Sequence, residues 1–376
     1  MSDKPKILHL ISKFDYSQGG PPRMVSSTAK IQKYLGYKVK ILTTSDKYIG
    51  ETNKIYFGKL LLNRFAIPNF SLLIKIYKEI KKHDIIHIHN FWNIFVTISI
   101  IFSKIQKKKI ILSPHGSLHK ENIKKNYLLK LIFFKLVEKK NLTFIYKFHF
   151  LNPNEKKNFY CKKILNKKNF MIIPNSIEKV YRKKKNIKKF KTNEFNFSYI
   201  GRISKNKGIS LMISSYLECK KKYPNISLHI IGPNSNYKKF LINTLKFGSK
   251  KNNIFFHKPI YNYSRFNIME NSTAVILLSD LECDSVLSKE VWSSKGLLIT
   301  TKNSFNENYF EKKIALIVKK NTRSVSEAMI KSILNRKSLD KIRENGYIYS
   351  LTRLNIVENT KKLTKSYLST NEKVYK

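Results

Sequence analysis

The sequence predicts an α/β protein with two doubly wound parallel sheets in series, from its length, its composition and its alternation of segments. The chain has 376 residues, and domains average roughly 150 residues, so two sizeable domains are expected. Its hydrophobic content of 42% is sufficient for two cores and excludes a disordered chain. Short apolar runs alternate with longer amphipathic stretches, which is typical of βαβ units around a parallel sheet.

The N-terminal half contains six short apolar runs, with amphipathic stretches between most of them. The predicted strands are Lys6–Ser12, Lys38–Thr44, Asp84–Asn90, Ile110–Pro114, Phe144–Asn152 and Phe170–Pro174. The predicted helices are Pro21–Leu35, Leu72–Lys82 and Asn122–Lys139. This order predicts a first doubly wound sheet.

The C-terminal half repeats the pattern after Glu178–Asn193, a lysine-rich stretch that we interpret as a linker. Its predicted strands are Phe195–Arg202, Ile226–Gly232, Ile254–His257, Thr273–Ser279, Gly296–Thr301 and Ala315–Lys319. The expected domains are therefore residues 1–177 and 178–353. Two such halves predict a ligand in the cleft between them, outside the carboxyl ends of the strands.

The charge is strongly basic, since 74 Lys and Arg against 24 Asp and Glu give a net charge of +50. One interpretation is a coding bias, because only nine of the 74 are arginine and the lysines are scattered. The other is attraction to an anionic surface, either nucleic acid or phospholipid headgroups. A nucleic-acid reader would concentrate arginine for bidentate contacts, so we expect no nucleic-acid partner.

The remaining composition indicates a cytoplasmic protein. The three cysteines, Cys161, Cys219 and Cys283, lie far apart with no C-x-x-C spacing, which fits a reducing compartment without a zinc or redox site. The first residues show no secretory signal. The longest apolar stretch, Ile94–Phe102, is too short to span a bilayer.

Two loops of the N-terminal half contain candidate binding residues. Gly19 and Gly20 precede two prolines at a helix start, where backbone amides favour an anion or sugar hydroxyls, although a tight turn explains the glycines equally well. His115 follows the fourth strand beside a glycine, and we expect it to face the cleft. For His87, inside the third strand, a structural role is favoured.

Two loops of the C-terminal half contain charged candidates. Arg202 at a strand exit and Lys207 at a helix start would converge on one anionic group, as in a diphosphate site. Glu282 and Glu290 lie eight positions apart across the next loop and helix, so both can face one pocket. Spacing alone favours a different interpretation, in which Asp284 or Ser285 caps the helix and both glutamates are solvated.

Taken in order, these motifs resemble the retaining glycosyltransferases of family 4, also called group 1, which have the GT-B fold. The resemblance covers essentially the whole chain. The motifs that carry it are, in order, Gly-Gly-Pro-Pro-Arg, Ser-Pro-His-Gly, Pro-Asn-Ser-Ile-Glu, Gly-Arg-x4-Lys-Gly and Glu-x7-Glu. It implies two Rossmann-like domains facing across a cleft, with the acceptor bound by the first and a nucleotide-sugar donor by the second. It also implies that the last helix, Leu354–Leu368, packs back on the first domain.

The resemblance also implies a role for each candidate residue. Arg202 and Lys207 match the pair that binds the donor diphosphate and stabilises the leaving nucleotide, while Glu282 matches the acid near the transferred sugar. The other matches line the donor site: Glu290 at the ribose hydroxyls, Ser285 and Val286 at the helix start, and Gly19, Gly20 and His115 on the opposite wall. The implied catalytic residues are Arg202, Lys207, Glu282 and His115.

Fixed cations at the diphosphate can stabilise the leaving group without a metal ion. We therefore expect no metal and no cofactor, with a UDP- or GDP-linked sugar as the donor substrate. The resemblance implies retention of anomeric configuration by front-side attack. After Glu282 the family usually has glycines around a phenylalanine, whereas Cys283, Asp284 and Ser285 stand here and are expected to add side chains beside the sugar.

The acceptor is expected to be a glycan or a lipid-linked oligosaccharide in surface polysaccharide or lipopolysaccharide synthesis. Residues 120–140 contain seven lysines among many apolar residues, and a basic amphipathic helix can lie at an anionic membrane surface. Alternatively, its apolar face packs on the sheet. We expect a peripheral protein at the inner face of the cell membrane.

Two other functions stay open. A catalytically impaired nucleotide-sugar or glycan-binding protein of the same fold is favoured by the altered residues after Glu282. A basic nucleic-acid-binding protein, ranked last, would show affinity that falls steeply with salt.

Overall fold

The computed structural model describes residues 4–15, 19–44, 55–56, 60–62, 66–124, 127–177, 195–245, 252–304, 307–369 and 373–374. The chain divides into two compact units. Unit 1 is Met1–Asn175 with Ile356–Lys376, and unit 2 is Ser176–Asn355. The boundaries predicted from the sequence, after residues 177 and 353, each lie two residues from these. The linker predicted over Glu178–Asn193 lies outside the described residues.

Strands and helices alternate along much of the chain. The strands are β1 Ile7–Ile11, β2 Val39–Leu42, β3 Ile55–Tyr56, β4 Leu60–Leu62, β5 Ile67–Pro68, β6 Ile85–His89, β7 Lys109–Ser113, β8 Lys147–Phe150, β9 Asn169–Ile172, β10 Phe195–Ile200, β11 Ile226–Ile231, β12 Ile254–His257, β13 Ala274–Leu277, β14 Leu298–Thr301, β15 Leu316–Val318 and β16 Lys373–Val374. The helices are α1 Gly20–Tyr34, α2 Phe70–Lys81, α3 Ile94–Ile105, α4 Lys120–Ile123, α5 Tyr127–Phe133, α6 Lys139–Leu142, α7 Pro153–Lys157, α8 Lys162–Leu165, α9 Ile209–Lys222, α10 Asn236–Thr244, α11 Ser264–Asn271, α12 Val286–Ser293, α13 Thr322–Leu334, α14 Asp340–Arg353 and α15 Ile356–Ser366.

Unit 1 is a parallel sheet in the order β16-β9-β8-β7-β6-β1-β2-β3, with a separate β4–β5 hairpin. Side chains alternate between the two faces of each strand, and both faces are buried. Leu8 and Leu10 pack on one face with α2 and α3, while Ile7 and Ile11 pack on the other with α1 and Leu363 of α15. The helix predicted over Leu354–Leu368 is therefore α15.

Unit 2 is a parallel sheet in the order β12-β11-β10-β13-β14-β15. The strand order reverses between β10 and β13, and ligands of such sheets bind outside the carboxyl ends of the strands at this switch point. Trp292 anchors the core, because it is fully buried and its Nε1 donates to the carbonyl of Ile314 at 2.9 Å. The loops after β10 and β13 are therefore the place to look for a site.

The helix predicted over Asn122–Lys139 is wrong as one continuous helix. The chain forms α4, then α5, and passes through a π-helical segment, Phe134–Glu138, into α6. The amide of Lys139 donates to the carbonyl of Phe134, five residues back. This wider turn buries both Phe134 and Glu138, and Thr97 donates to the Glu138 carboxylate. A tertiary hydrogen bond thus accompanies the change of helix type.

The apolar stretch singled out in the sequence becomes α3, which packs on the sheet of unit 1. Within the described part of the chain, every helix is too short or too polar to cross a membrane.

Candidate active site

The loop after β10 holds Arg202 by its backbone and leaves its side chain exposed. The hydroxyl of buried Tyr199 donates to the carbonyl of Arg202 at 2.7 Å. A Cβ on Gly201 would lie 2.8 Å from that hydroxyl, so a side chain here would displace Tyr199. Among the described residues, the Arg202 guanidinium has no hydrogen-bond partner or counter-ion, and it is therefore available to an anion.

Gly208 brings the loops after β10 and β13 into contact. It is the N-cap of α9 and has a φ of 67°, a conformation that favours glycine. A Cβ at this position would lie 2.3 Å from the carbonyl oxygen of Leu278, directly after β13. The backbones therefore approach as closely as they do because residue 208 is glycine.

Lys207 and Glu282 meet at this contact. The Nζ of Lys207 donates to Oε1 of Glu282, and the Ser279 hydroxyl donates to the same oxygen at 2.7 Å. The two charged side chains are 11% and 18% exposed. Since β10 and β13 flank the switch point, the pair occupies the position where a parallel sheet of this order binds ligands. An ammonium and a carboxylate here can bind a phosphate and a hydroxyl respectively.

Glu290 lies in α12 and pairs with Arg265 of α11. Both Nε and Nη2 of Arg265 lie 3.0 Å from Oε1 of Glu290, and the Glu290 side chain is 5% exposed. The Nη1 of Arg265 donates to the carbonyls of Tyr261 and Asn262. Two solvated acids are therefore the wrong interpretation, because Glu282 and Glu290 each contact a cation. Sequence analysis missed Arg265, although it is one of only nine arginines.

Ser285 and Val286 form the beginning of α12. Ser285 is the N-cap and accepts a hydrogen bond from the amide of Ser288 at 3.2 Å, and Val286 is the first, buried helix residue. The predicted capping by Ser285 is confirmed. The Ser288 hydroxyl is buried without a partner among the described residues.

The expectation that the residues after Glu282 add side chains beside the sugar is wrong for Asp284, whose side chain is buried. Its carboxylate pairs with the Lys289 ammonium, and the two side chains are 0% and 1% exposed. Tyr309 donates to the same carboxylate at 3.4 Å. Burial lowers the pKa of Lys289, and the nearby Asp284 opposes this shift. The carboxylate turns into the core because a buried cation stabilises it there.

Gly19 and Gly20 lie at the start of α1 in unit 1. Gly19 is the N-cap with a φ of 94°, and Gly20 is the first helical residue. Pro21 and Pro22 follow and have no N–H, so two of the four free amides of an ordinary helix start are missing. Only Gly19 and Gly20 can donate here. The preceding loop residues 16–18 lie outside the described part of the chain.

His115 lies in the turn after β7, also in unit 1. Its φ is 50°, and at the neighbouring end of β6 Asn90 and Trp92 have φ values of 67° and 61°. Left-handed backbone in non-glycine residues is costly and clusters at functional sites. The amide of Gly116 donates to the Glu155 carboxylate at 2.7 Å, which fixes the turn.

A row of buried histidines lies behind His115, and the sequence did not indicate a role for two of them, His9 and His149. His87 contacts the hydroxyls of Tyr367 and Ser113 at 2.8 and 2.7 Å, a structural placement as expected. Its neighbours His9 and His89 have ring nitrogens 2.9 Å apart. In the sequence, this row was indicated by a histidine inside an otherwise apolar strand.

His9, His87 and His89 are close enough to hold a metal ion, since one ligand atom of each lies within 4.8 Å of the others. Every ring nitrogen of the three already has a protein hydrogen-bond partner. Their described partners are neutral groups with no carboxylate to balance a cation. This donor set fits a hydrogen-bonded row and does not fit a metal centre.

Burial keeps this row of histidines neutral. It lowers the pKa of His9 and of His149 to about 4, and that of His115 to about 3. Burial also lowers the pKa of His87 and of His89 well below the ordinary value, and the neighbouring histidines add to the shift. A neutral imidazole donates through one nitrogen and accepts through the other.

Solved structures similar to this one include the following three. Anabaena HepE in complex with UDP and glucose has 14% sequence identity and a TM-score of 0.76, with coverage of 97% of this chain and 100% of HepE. WaaG, a glycosyltransferase involved in lipopolysaccharide biosynthesis, has 13% identity and a TM-score of 0.72, with 96% and 100% covered. A glycosyltransferase from Rickettsia africae has 16% identity and a TM-score of 0.71, with 98% and 100% covered. No curated protein matches the chain in sequence.

These likenesses and the two parallel sheets define the class: the chain has the GT-B fold, with two Rossmann-like units. Residues 180–349 match the family model described as glycosyl transferases group 1. This match covers the C-terminal part of the chain, and the predicted fold class and the predicted enzyme class, a glycosyltransferase, are confirmed.

Proposed function

We propose that the chain is a retaining enzyme of family 4, which transfers a sugar from a nucleotide diphosphate to a glycan or lipid-linked oligosaccharide. One observation carries this proposal: the Lys207–Glu282 pair at the switch point of unit 2, with Arg202 on the same loop. Its position suits a ligand with an anionic group beside hydroxyls, which describes a nucleotide sugar.

Lys207 and Arg202 would bind the donor diphosphate. As the bond to the sugar breaks, negative charge gathers on the leaving diphosphate, and pre-positioned cations stabilise it. When Lys207 turns to the phosphate, Glu282 is released to accept a hydrogen bond from a sugar hydroxyl. Ser279 keeps the Glu282 carboxylate in place during this exchange. The proposal assigns the positive charge to these side chains and includes no metal or cofactor.

Glu290 would accept hydrogen bonds from the ribose hydroxyls, with Arg265 fixing the carboxylate. Ser285 and Val286 at the start of α12 complete the donor site of unit 2, while Gly19, Gly20 and His115 are the assigned donor-site residues of unit 1. Retention follows from the resemblance to family 4, with attack on the front side of the sugar and no protein nucleophile assigned.

The similar proteins support the choice of substrates. HepE is known with UDP and glucose, and WaaG is involved in lipopolysaccharide biosynthesis. We therefore favour a UDP-linked donor over a GDP-linked one, and an acceptor in surface polysaccharide synthesis. Cytoplasmic placement at the inner face of the membrane follows from such an acceptor.

A membrane surface is the proposed partner of α5. None of its residues is buried, and Leu128, Leu129 and Leu136 just beyond it are 68%, 69% and 76% exposed. Within residues 120–140, Phe134 packs in the core of unit 1, whereas α5 has no buried residue. Exposed leucines among lysines suit insertion into an anionic interface.

Thermal shift with UDP, GDP, ADP and their common sugars tests the donor site, because a ligand that binds the folded state raises its stability. We expect one nucleotide to raise the Tm of the wild type and to lose this effect in Arg202→Ala and Lys207→Ala. Lys205→Ala is the matched control, since Lys205 is exposed in the same turn. Binding without turnover would instead favour the impaired, glycan-binding alternative. No shift with any nucleotide would overturn the donor site.

A further inference from the structure

One buried face of the unit 1 sheet carries polar side chains where aliphatic ones are usual. It lies between the strands and the helices α1 and α15, and its polar residues are 0% to 7% exposed. They are His9, Gln32, His87, His89, Ser113, His149 and Tyr367. The strands pair with His9 opposite His87 and His89 opposite Ser113, which brings these side chains to the same face.

These groups form an unbroken series of hydrogen bonds that ends at His115. The series begins at the carbonyl of Ile173 and passes through His149 (2.9 Å), Ser113 (2.8 Å), His87 (2.7 Å), Tyr367 (2.8 Å), Gln32 (3.1 Å), His9 (2.8 Å), His89 (2.9 Å) and His115 (3.0 Å). It joins four strands, α1 and the residue after α15.

The first contact determines the direction of every other one. The carbonyl of Ile173 can only accept, so Nε2 of His149 donates to it. His149 is neutral, and its bare Nδ1 therefore accepts from the Ser113 hydroxyl. Because the Ser113 hydroxyl donates its only hydrogen to His149, its oxygen accepts a hydrogen bond from Nε2 of His87.

The same step repeats through the remaining groups. The bare Nδ1 of His87 accepts from the Tyr367 hydroxyl, which in turn accepts from the amide nitrogen of Gln32. The Gln32 amide has the orientation this direction requires, with its nitrogen toward Tyr367 and its oxygen toward Nε2 of His9. The placement of the Gln32 amide thus agrees with this direction.

The series ends at His115, where one ring nitrogen is an acceptor without a donor among the described residues. Nδ1 of His9 accepts from Nε2 of His89, and Nδ1 of His89 accepts from Nε2 of His115. The neutral His115 ring is left with a bare Nδ1. This atom is buried and has no hydrogen-bond partner among the described residues, while the ring as a whole is partly exposed.

We propose that this series is a one-way hydrogen-bond wire that holds His115 in its Nε2–H tautomer and presents Nδ1 as a permanent acceptor for a ligand hydroxyl. His9, Gln32, His87, His89, Ser113, His149 and Tyr367 are its positioning residues. The ligand class rests on the proposed function, whereas the tautomer does not. A fixed acceptor can bind a sugar hydroxyl and repels a bare phosphate oxygen.

Nitrogen NMR of the ligand-free protein labelled with ¹⁵N-histidine tests the wire at pH 7, and His115→Gln identifies the His115 signals. We expect a protonated Nε2 and an unprotonated Nδ1 in the wild type. Tyr367→Phe removes the hydroxyl between His87 and Gln32. The Gln32 amide is then free to reverse, and His115 should show a mixture of both tautomers.

Tyr216→Phe is the matched control, because Tyr216 is equally buried and donates to the backbone carbonyls of Ile226 and Asn252 in unit 2. It should leave the His115 signals unchanged. If Tyr367→Phe does not fold, Ser113→Ala interrupts the same wire between His149 and His87.

A protonated Nδ1 on His115 in the wild type would overturn the proposal. So would wild-type His115 signals in a folded Tyr367→Phe or Ser113→Ala variant, since the tautomer would then be set locally. None of these measurements uses a donor, so failure of the proposed function leaves them valid.

Discussion

Lys207 donates a hydrogen bond to Glu282 across 75 positions of sequence. The contact exists because β10 and β13 are neighbours in the sheet and Gly208 lets their loops touch. It also neutralises both groups while no diphosphate competes for the ammonium. The same two residues therefore serve as an ion pair in the structure and as separate ligand contacts in the proposed reaction.

Lys207→Gln should lower kcat by about 100- to 1000-fold, because it removes a charge aimed at the leaving diphosphate. Steady-state kinetics with the donor found by thermal shift is the measurement. Lys205→Gln, in the same turn, should keep near wild-type kcat. An equal decrease of kcat in both variants would mean that the total positive charge of the loop matters, and not the position of Lys207.

Gly208→Ala should destabilise the protein by about 1–3 kcal/mol, since a left-handed φ and a close backbone contact both oppose a side chain. Urea unfolding measures the effect. Lys205→Ala should have little effect on stability. An unchanged midpoint in Gly208→Ala would show that the two loops do not need this close approach.

Arg265→Met should cost more stability than the double variant Arg265→Met with Glu290→Gln. Removing only the cation leaves a buried carboxylate unpaired, which costs about 3–5 kcal/mol, whereas neutralising both partners avoids that cost. A double-mutant cycle from urea unfolding provides the comparison. Additive losses would mean that the two side chains are not coupled.

Stability should fall as the pH is lowered from 6.5 to 5. The pKa of His9 and of His149 is depressed to about 4 in the folded state, so the unfolded chain binds more protons in this range. The free energy of unfolding then decreases by at most about 1.4 kcal/mol per pH unit for each such histidine. Urea unfolding at pH 7, 6 and 5 should show this slope, and a smaller slope in His149→Gln. A flat profile would contradict neutral buried histidines.

Replacement of Leu128, Leu129 and Leu136 by Asn should weaken binding to vesicles that contain anionic phospholipid. Each leucine is at least 68% exposed, and its loss removes apolar area from the interface. Co-sedimentation at physiological salt measures the bound fraction. Leu334→Asn, at a 62% exposed site in unit 2, should bind like the wild type. Equal binding by all variants would leave charge alone as the cause.

The sequence by itself determined the main strands, the start of α12 at Ser285 and the loops that hold the candidate residues. Strand burial produces a local apolar run, and a helix cap is chosen within one turn, so both are visible in a short window of sequence. The strand predicted over Ile254–His257 has the same limits in the structure. By contrast, the two-residue strand β3 has too few residues to form such a pattern.

Only the tertiary structure decided the partners of the candidate residues. Glu290 contacts Arg265, Asp284 turns into the core toward Lys289, and His115 ends a row of hydrogen bonds that begins at Ile173. Each contact joins groups on different strands, helices or loops. Sheet order and helix packing bring those elements together, and neither is encoded in the spacing of any single motif.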